Sequence, residues 1–261
     1  MKKTLIALAV AASAAVSGSA MAWTANGTGG SVDLGGTLTP SEKVTPWEAA
    51  TGTAVNDLNA TINKGQTEVD FTTPKTIPVL GVRTVKNTLF KGAIGLTPQI
   101  DYHGAINTSN FSSNKTDLTL EVLGTNDNKI GTLTTKLAAS GVASRLADDG
   151  YKDAMIVYSN ESWGAFNGGL SATKGGVNVV SAGLDFINGL FPGAADNFDS
   201  QGQSFNAEAS MIHFGAEGWQ YSGAYASGIS AQEHIKITLE NPAGTDAIVW
   251  KASLPVTVSY Q

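Results

Sequence analysis

Carboxylates, imidazoles and aromatic rings are the side chains through which this chain could do chemistry. Two acidic clusters stand out, Asp148-Asp149-Gly150 and Asp196-Asn197-Phe198-Asp199. Glycoside hydrolysis needs a carboxylate pair, one group as acid and the other as base or nucleophile. Both clusters lie in polar stretches where acids commonly serve solvation, so catalysis is the weaker reading. His103, His213 and His234 are isolated in sequence, whereas a metal site needs several convergent ligands. His234 opens an alternating stretch with polar neighbours, which predicts a solvent-facing ring. The chain has no cysteine, which excludes disulfides, thiolate ligands and thiol nucleophiles. It has no phosphate-binding loop, nucleophile elbow, zinc-binding helix or EF-hand loop motif. No catalytic residue, metal or cofactor is expected. The N-glycosylation patterns at Asn26, Asn107 and Asn160 read as polar loop residues.

The rings carry more information. Tyr151, Tyr158, Trp163 and Phe166 fall in one loop-rich stretch, and Trp219, Tyr221 and Tyr225 in another. Exposed rings beside polar groups stack on sugar faces or anchor protein contacts. The competing reading is that most of them fill the core. Sixteen Lys+Arg against 22 Asp+Glu give a net charge of −6. A nucleic-acid partner is not expected, because neutralising phosphates takes a basic face.

These groups must be positioned by strands. Val69 and Phe71 alternate before Pro74, and the apolar run around Pro78 marks a strand start or an edge. Leu118, Leu120 and Val122 alternate, and Asn126-Asp127-Asn128 turns the chain into a second run, which reads as a hairpin. Ile235, Ile237 and Leu239 alternate, and so do Val256, Val258 and Tyr260. Near the start, Val32, Leu34, Gly36 and Leu38 share one face, with Asp33, Gly35 and Thr37 on the other. Strands recurring between Gly, Asn, Asp and Ser turns predict an all-β sandwich or barrel. The four-three-four spacing of Val180, Leu184, Ile187 and Phe191 predicts a helix stopped by Pro192-Gly193. Residues 140–202 therefore read as a loop- and helix-containing insertion on a β framework.

Residues 1–22 read as a signal peptide. Lys2 and Lys3 precede an apolar run over residues 5–16, and Ala20-Met21-Ala22 supplies the small-residue end. The run is too short to span a bilayer. Removing it takes away two lysines and no acid, which moves the formal charge from −6 to −8. The mature chain is expected outside the cytoplasm.

Several stretches resemble the FaeG/ClpG-type major fimbrial subunits of enterotoxigenic Escherichia coli, assembled by the chaperone-usher pathway. They are the leader MKKTLIALAVAASA, residues 30–39, Trp47, Leu80-Gly81-Val82-Arg83-Thr84, residues 224–229 and residues 250–260. The resemblance covers the whole chain and is weakest over residues 140–202. It implies an immunoglobulin-like β-sandwich lacking its last strand, completed by donor-strand exchange. Residues 23–39 would form the donor-strand extension, with Val32, Leu34, Gly36 and Leu38 facing the groove, and residues 40–261 the incomplete pilin domain. Val256, Val258 and Tyr260 would form the edge gripped by a periplasmic chaperone. Other subunits and an outer-membrane usher are the further assembly partners. In this family the insertion carries adhesion to host intestinal glycoconjugates, which makes Tyr151, Trp163 and Phe166 the receptor-binding candidates. The glycine commonly found near a pilin C-terminus is absent; Ile248 occupies its place. The resemblance thus implies a cell-surface fimbrium subunit that is not an enzyme. An outer-membrane β-barrel protein and a secreted carbohydrate-active enzyme are the alternatives.

Overall fold

A computed structural model describes residues 25–27, 34–38 and 44–261. The chain divides into residues 1–43 and 44–261. In the first part, residues 34–38 form no strand, and Val32 lies outside the described residues. Leu34 and Leu38 are 94% and 97% exposed.

Residues 44–261 form an all-β, immunoglobulin-like sandwich. The strands are β1 (Trp47–Thr51), β2 (Glu68–Thr72), β3 (Ile77–Thr84), β4 (Phe90–Lys91), β5 (Pro98–Asp101), β6 (Lys115–Leu123), β7 (Lys129–Ala147), β8 (Lys152–Ile156), β9 (Trp219–Ile229), β10 (His234–Leu239) and β11 (Thr257–Tyr260). One helix, α1 (Leu184–Leu190), lies between β8 and β9. The large antiparallel sheet runs β1-β3-β9-β7-β10-β2, with β4 on β9 and both β6 and β8 on β7. The small sheet is β11-β5.

The 19-residue β7 is the spine of the large sheet. Its first half pairs with β6 and β10, and its second half with β8 and β9. The β6-β7 hairpin closes as the sequence predicts: Asp127 takes a positive φ of 59°, and the Gly124 N–H donates to the Asn128 carbonyl at 2.9 Å. Pro78 sits at the start of β3, where the register with β9 shifts between Pro78 and Leu80.

Both faces of the large sheet are covered over β3, β9 and the second half of β7. On one face Trp47, Leu80, Val82, Leu137, Tyr221 and Tyr225 pack with Ile100, Tyr102, Phe166, Leu170, Ile212 and Phe214. Buried hydroxyls tie this core across the two sheets. Tyr102 Oη lies 2.9 Å from Tyr225 Oη and 2.6 Å from Ser227 Oγ, and Tyr225 Oη donates to the Gly169 carbonyl at 3.0 Å. Burial pushes the Tyr102 hydroxyl up to about 12, against the lowering effect of its two hydrogen bonds.

On the other face, Ala138, Val142, Ala224 and Ala226 form a small-residue floor under Ile187, Leu190, Ala194 and Phe198. Small side chains let the covering layer come close. A Cβ on Gly81 would lie 2.8 Å from Phe191 Cδ1. Framework side chains fasten this layer through its backbone. Ser140 Oγ donates to the Ala182 carbonyl at 2.6 Å, Ser144 Oγ to Asp199 at 2.5 Å, Arg83 Nη1 to Gly193 at 2.7 Å and Thr84 Oγ1 to Asn197 at 3.1 Å.

Two sequence expectations need correction. Residues 140–147 and 152–156 are sheet rather than insertion; the segment between the strands is 157–218. Ala138 to Val142 are buried on both faces, so small residues replace the polar-apolar alternation that would have marked a strand. The helix starts at Leu184, leaving Val180 outside it and exposed. It ends as predicted before Pro192, with the Phe191 N–H donating to the Ile187 carbonyl.

Candidate functional site

Among the described residues, the C-terminal strand β11 pairs on one side only, with β5. Gln261 exchanges backbone hydrogen bonds with Thr97, at 2.9 and 3.0 Å. At the other end, Lys251 exchanges bonds with Leu123, at 2.8 and 3.0 Å. Burial alternates without a break from residue 251 to 261, so this whole stretch is extended with period two. In such a ladder, bonded residues alternate with residues whose N–H and C=O point the other way. Lys251 therefore faces β6, and Thr257, Ser259 and Gln261 face β5 and Thr97. Val258 and Tyr260 turn their backbone groups away from β5, and Ala252, Leu254 and Val256 continue the same alternation of side chains. Among the described residues, no backbone group of residues 252–256 makes a backbone hydrogen bond on either side. Pro255 has no N–H to donate and lies in this stretch without ladder bonds.

The same five side chains form a half-buried apolar row. Leu254, Val256, Val258 and Tyr260 border the main core together with Ile77 and Val79 of β3. Ala252 and Trp250 border a second cluster that includes Leu58 and Ile62. Burial raises the Tyr260 hydroxyl, against a hydrogen bond to Thr45. Residues 53–62 add a second length of unpaired chain. Among the described residues their only internal backbone bond joins the Asn59 N–H to the Asp57 carbonyl at 2.9 Å. Val256, Val258 and Tyr260 were singled out from the sequence. Ala252 and Leu254 were not, although the same alternation extends back to them.

The three ring candidates separate. Tyr151 is 52% exposed and Trp163 46% exposed. Phe166 is fully buried, 5.4 Å from Tyr225 in a stacked pair and 5.8 Å from Trp47. A ring with no accessible face cannot stack on a ligand, so Phe166 is a core residue. Gly141 of β7 makes the room, since a Cβ there would lie 3.1 Å from the Phe166 ring.

Tyr151 and Trp163 belong to different groups. Tyr151 and Trp219 flank the Arg145 guanidinium, with ring centroids 5.8 and 4.9 Å from its Cζ. Arg145 makes a two-pronged pair with Asp153, at 2.8 and 3.2 Å, and Tyr151 Oη donates to the same carboxylate at 3.2 Å. Burial alone would raise the Asp153 carboxyl; the hydrogen bonds and charge of Arg145 outweigh it and hold it below the usual range. Arg145 and Asp153 escaped the sequence reading because their partnership is cross-strand. Trp163 packs edge-on against His213, at 5.6 Å between centroids.

The acidic clusters and histidines do not converge. Asp149 Oδ1 accepts from the Tyr151 N–H and Asp199 Oδ1 from the Gln201 N–H, both within their own turns. His103 Nε2 contacts Thr257 Oγ1, His213 Nδ1 accepts from the Gly215 N–H, and His234 Nδ1 lies 2.7 Å from Asp70 Oδ1. Among the described residues no cluster of three metal-ligating side chains forms.

A protein-family profile described as "Fimbrial, major and minor subunit" matches residues 1–261. The chain belongs to the K88-type fimbrial subunit family. It is 30% identical over 288 residues to K88 fimbrial protein AB and 30% over 289 to K88 fimbrial protein AC, both of Escherichia coli. It is 29% identical over 282 residues to the F41 fimbrial protein of the same organism. In each case the match covers 100% of both chains. The protein is thus a fimbrial subunit, exported to the cell surface and assembled with other subunits. Its family is one of structural subunits, which displaces the membrane-barrel and carbohydrate-active-enzyme alternatives.

Proposed function

We infer that this fimbrial subunit polymerises by donor-strand exchange, with residues 32–38 of one copy entering the open side of the C-terminal strand of the next. The observation that carries the reading is the pairing of two incomplete parts. Among the described residues, β11 pairs on one side only and residues 252–256 have no backbone partner, above a half-buried apolar row from Ala252 to Tyr260. Residues 32–38 offer a matching period-two face, and Leu34 and Leu38 are exposed in the chain itself. Strand addition to an open sheet edge gains backbone hydrogen bonds for affinity and side-chain pockets for selectivity. Burying Val32, Leu34 and Leu38 is worth about 5–9 kcal/mol, at ~1.5–3 each.

An exposed edge of this kind invites aggregation unless covered. A periplasmic chaperone fills that need before assembly, gripping Val256, Val258 and Tyr260, and an outer-membrane usher passes the subunit to the fibre. Deleting residues 23–39 tests the scheme. The truncated subunit is expected to bind chaperone but not to form fibres; long fibres from it would refute donor-strand exchange.

The exposure of Tyr151 and Trp163 supports an adhesive role for the surface of the same subunit, with host intestinal glycoconjugates as receptor. Tyr151→Ala and Trp163→Ala fimbriae should assemble normally and lose binding to intestinal epithelial cells. Undiminished binding by both would move the receptor contact elsewhere.

A further inference from the structure

We propose that Asn26-Gly27 is a site of spontaneous covalent modification, converting to aspartate and isoaspartate in the mature subunit. The chain has three Asn-Gly steps, and their surroundings differ. At Asn26-Gly27, residues 25–27 are all exposed and Asn26 is in a turn with φ 61°. Glycine places no Cβ beside the reacting backbone nitrogen.

The other two steps are restrained. Asn167 donates its N–H to the Gly164 carbonyl at 3.3 Å and accepts from the Ile100 N–H at 2.8 Å. The space beside Gly168 is filled, since a Cβ there would meet the Ile100 carbonyl oxygen at 2.0 Å. Asn188 lies within α1, and its Oδ1 accepts from the Ala195 N–H at 2.9 Å. Its side-chain carbonyl is held toward Ala195, while helical geometry aims the Gly189 N–H back along the helix.

The reaction needs only water. The Gly27 backbone nitrogen attacks Asn26 Cγ, forming a C–N bond as the side-chain amide bond breaks. The nitrogen's proton leaves with the amide as ammonia. Water then opens the five-membered imide at either carbonyl, its hydroxyl going to carbon and its proton to the ring nitrogen. One opening gives aspartate; the other gives isoaspartate, which adds a methylene to the main chain. No electron is transferred. Either product places a new negative charge on every converted subunit. The site precedes residues 32–38, so conversion leaves the apolar face intact.

The test uses intact purified fimbriae held at mildly alkaline pH and body temperature. Tryptic peptides are then followed by mass spectrometry, with chromatographic separation of the isoaspartyl form. Conversion at Asn26 is expected at least about tenfold faster than at Asn167 or Asn188, as structured segments open rarely. Gly27→Val should slow it, because a branched side chain then shields the attacking nitrogen. An unmodified Asn26, equal rates at all three steps, or an unslowed Gly27→Val variant would each overturn the proposal.

Discussion

Replacing Leu34 and Leu38 together by alanine separates what holds a subunit from what holds a fibre. Leu34 and Leu38 are 94% and 97% exposed. Neither side chain therefore has burial to lose within its own chain. In the proposed exchange, entry into a neighbour's groove would remove both from water. Each leucine-to-alanine truncation then forfeits about 2 kcal/mol of transfer free energy. The pair should weaken each junction by about 4 kcal/mol if the sites act independently, close to a thousandfold in the junction equilibrium. The assay has two arms. Fibre dissociation in guanidinium chloride is followed by light scattering, and unfolding of the chaperone-bound subunit by circular dichroism. The dissociation midpoint should fall sharply while the subunit transition stays in place. Fibres of unchanged midpoint would mean that these leucines do not enter a groove. A falling subunit transition would mean that the segment already packs on its own domain.

Three further outcomes follow from the geometry. Phe166→Ala should cost about 3–5 kcal/mol of subunit stability, and Trp163→Ala less than about 0.5, by denaturant unfolding; similar costs would contradict the burial contrast. His234 is raised by its hydrogen bond to Asp70. The ion-pair contribution is therefore fully present below the ordinary histidine value of about 6.5 and is lost as pH rises through the raised folded value. Titration of the His234 ring by NMR should fall back toward the ordinary value in Asp70→Asn, and an identical titration in both proteins would count against the pairing. Gly81→Val should drive a methyl-bearing carbon into the Phe191 ring and destabilise by about 1–3 kcal/mol. Hydrogen exchange should quicken over residues 184–199, and unaltered exchange with an unaltered midpoint would rule the collision out.

Much of the framework could be read from residue patterns. The hairpin around Asp127, the short strands at Val69-Phe71 and Ile235-Leu239, and the terminal alternation through Tyr260 each have one wet and one dry face. Such strands announce themselves by period two. Residues 140–156 have no wet face over most of their length, and Ala139, Ser140, Gly141 and Ala143 fit beneath two covering layers. Smallness is a demand of that double covering, and smallness in sequence looks like a loop. Phe166 misled for the converse reason. It lies in a glycine-rich stretch, and its burial depends on Gly141 in a distant strand, which no local pattern contains. The open edge was partly legible. The alternation was visible, but which backbone groups lack partners follows only from the pairing of β11 with β5 and the bonds around it.

The fastening of residues 182–199 to the large sheet has a consequence for variation. Ser140, Ser144, Arg83 and Thr84 all reach main-chain carbonyls, those of Ala182, Asp199, Gly193 and Asn197. A carbonyl is the same acceptor whatever side chain its residue carries. With the Asn197 amide donating back to the Thr84 and Val85 carbonyls and the inward apolar side chains kept, the attached layer is free to change its outward-facing residues without coming loose. A surface of this construction can change one outward residue at a time, while each new version inherits the same mooring.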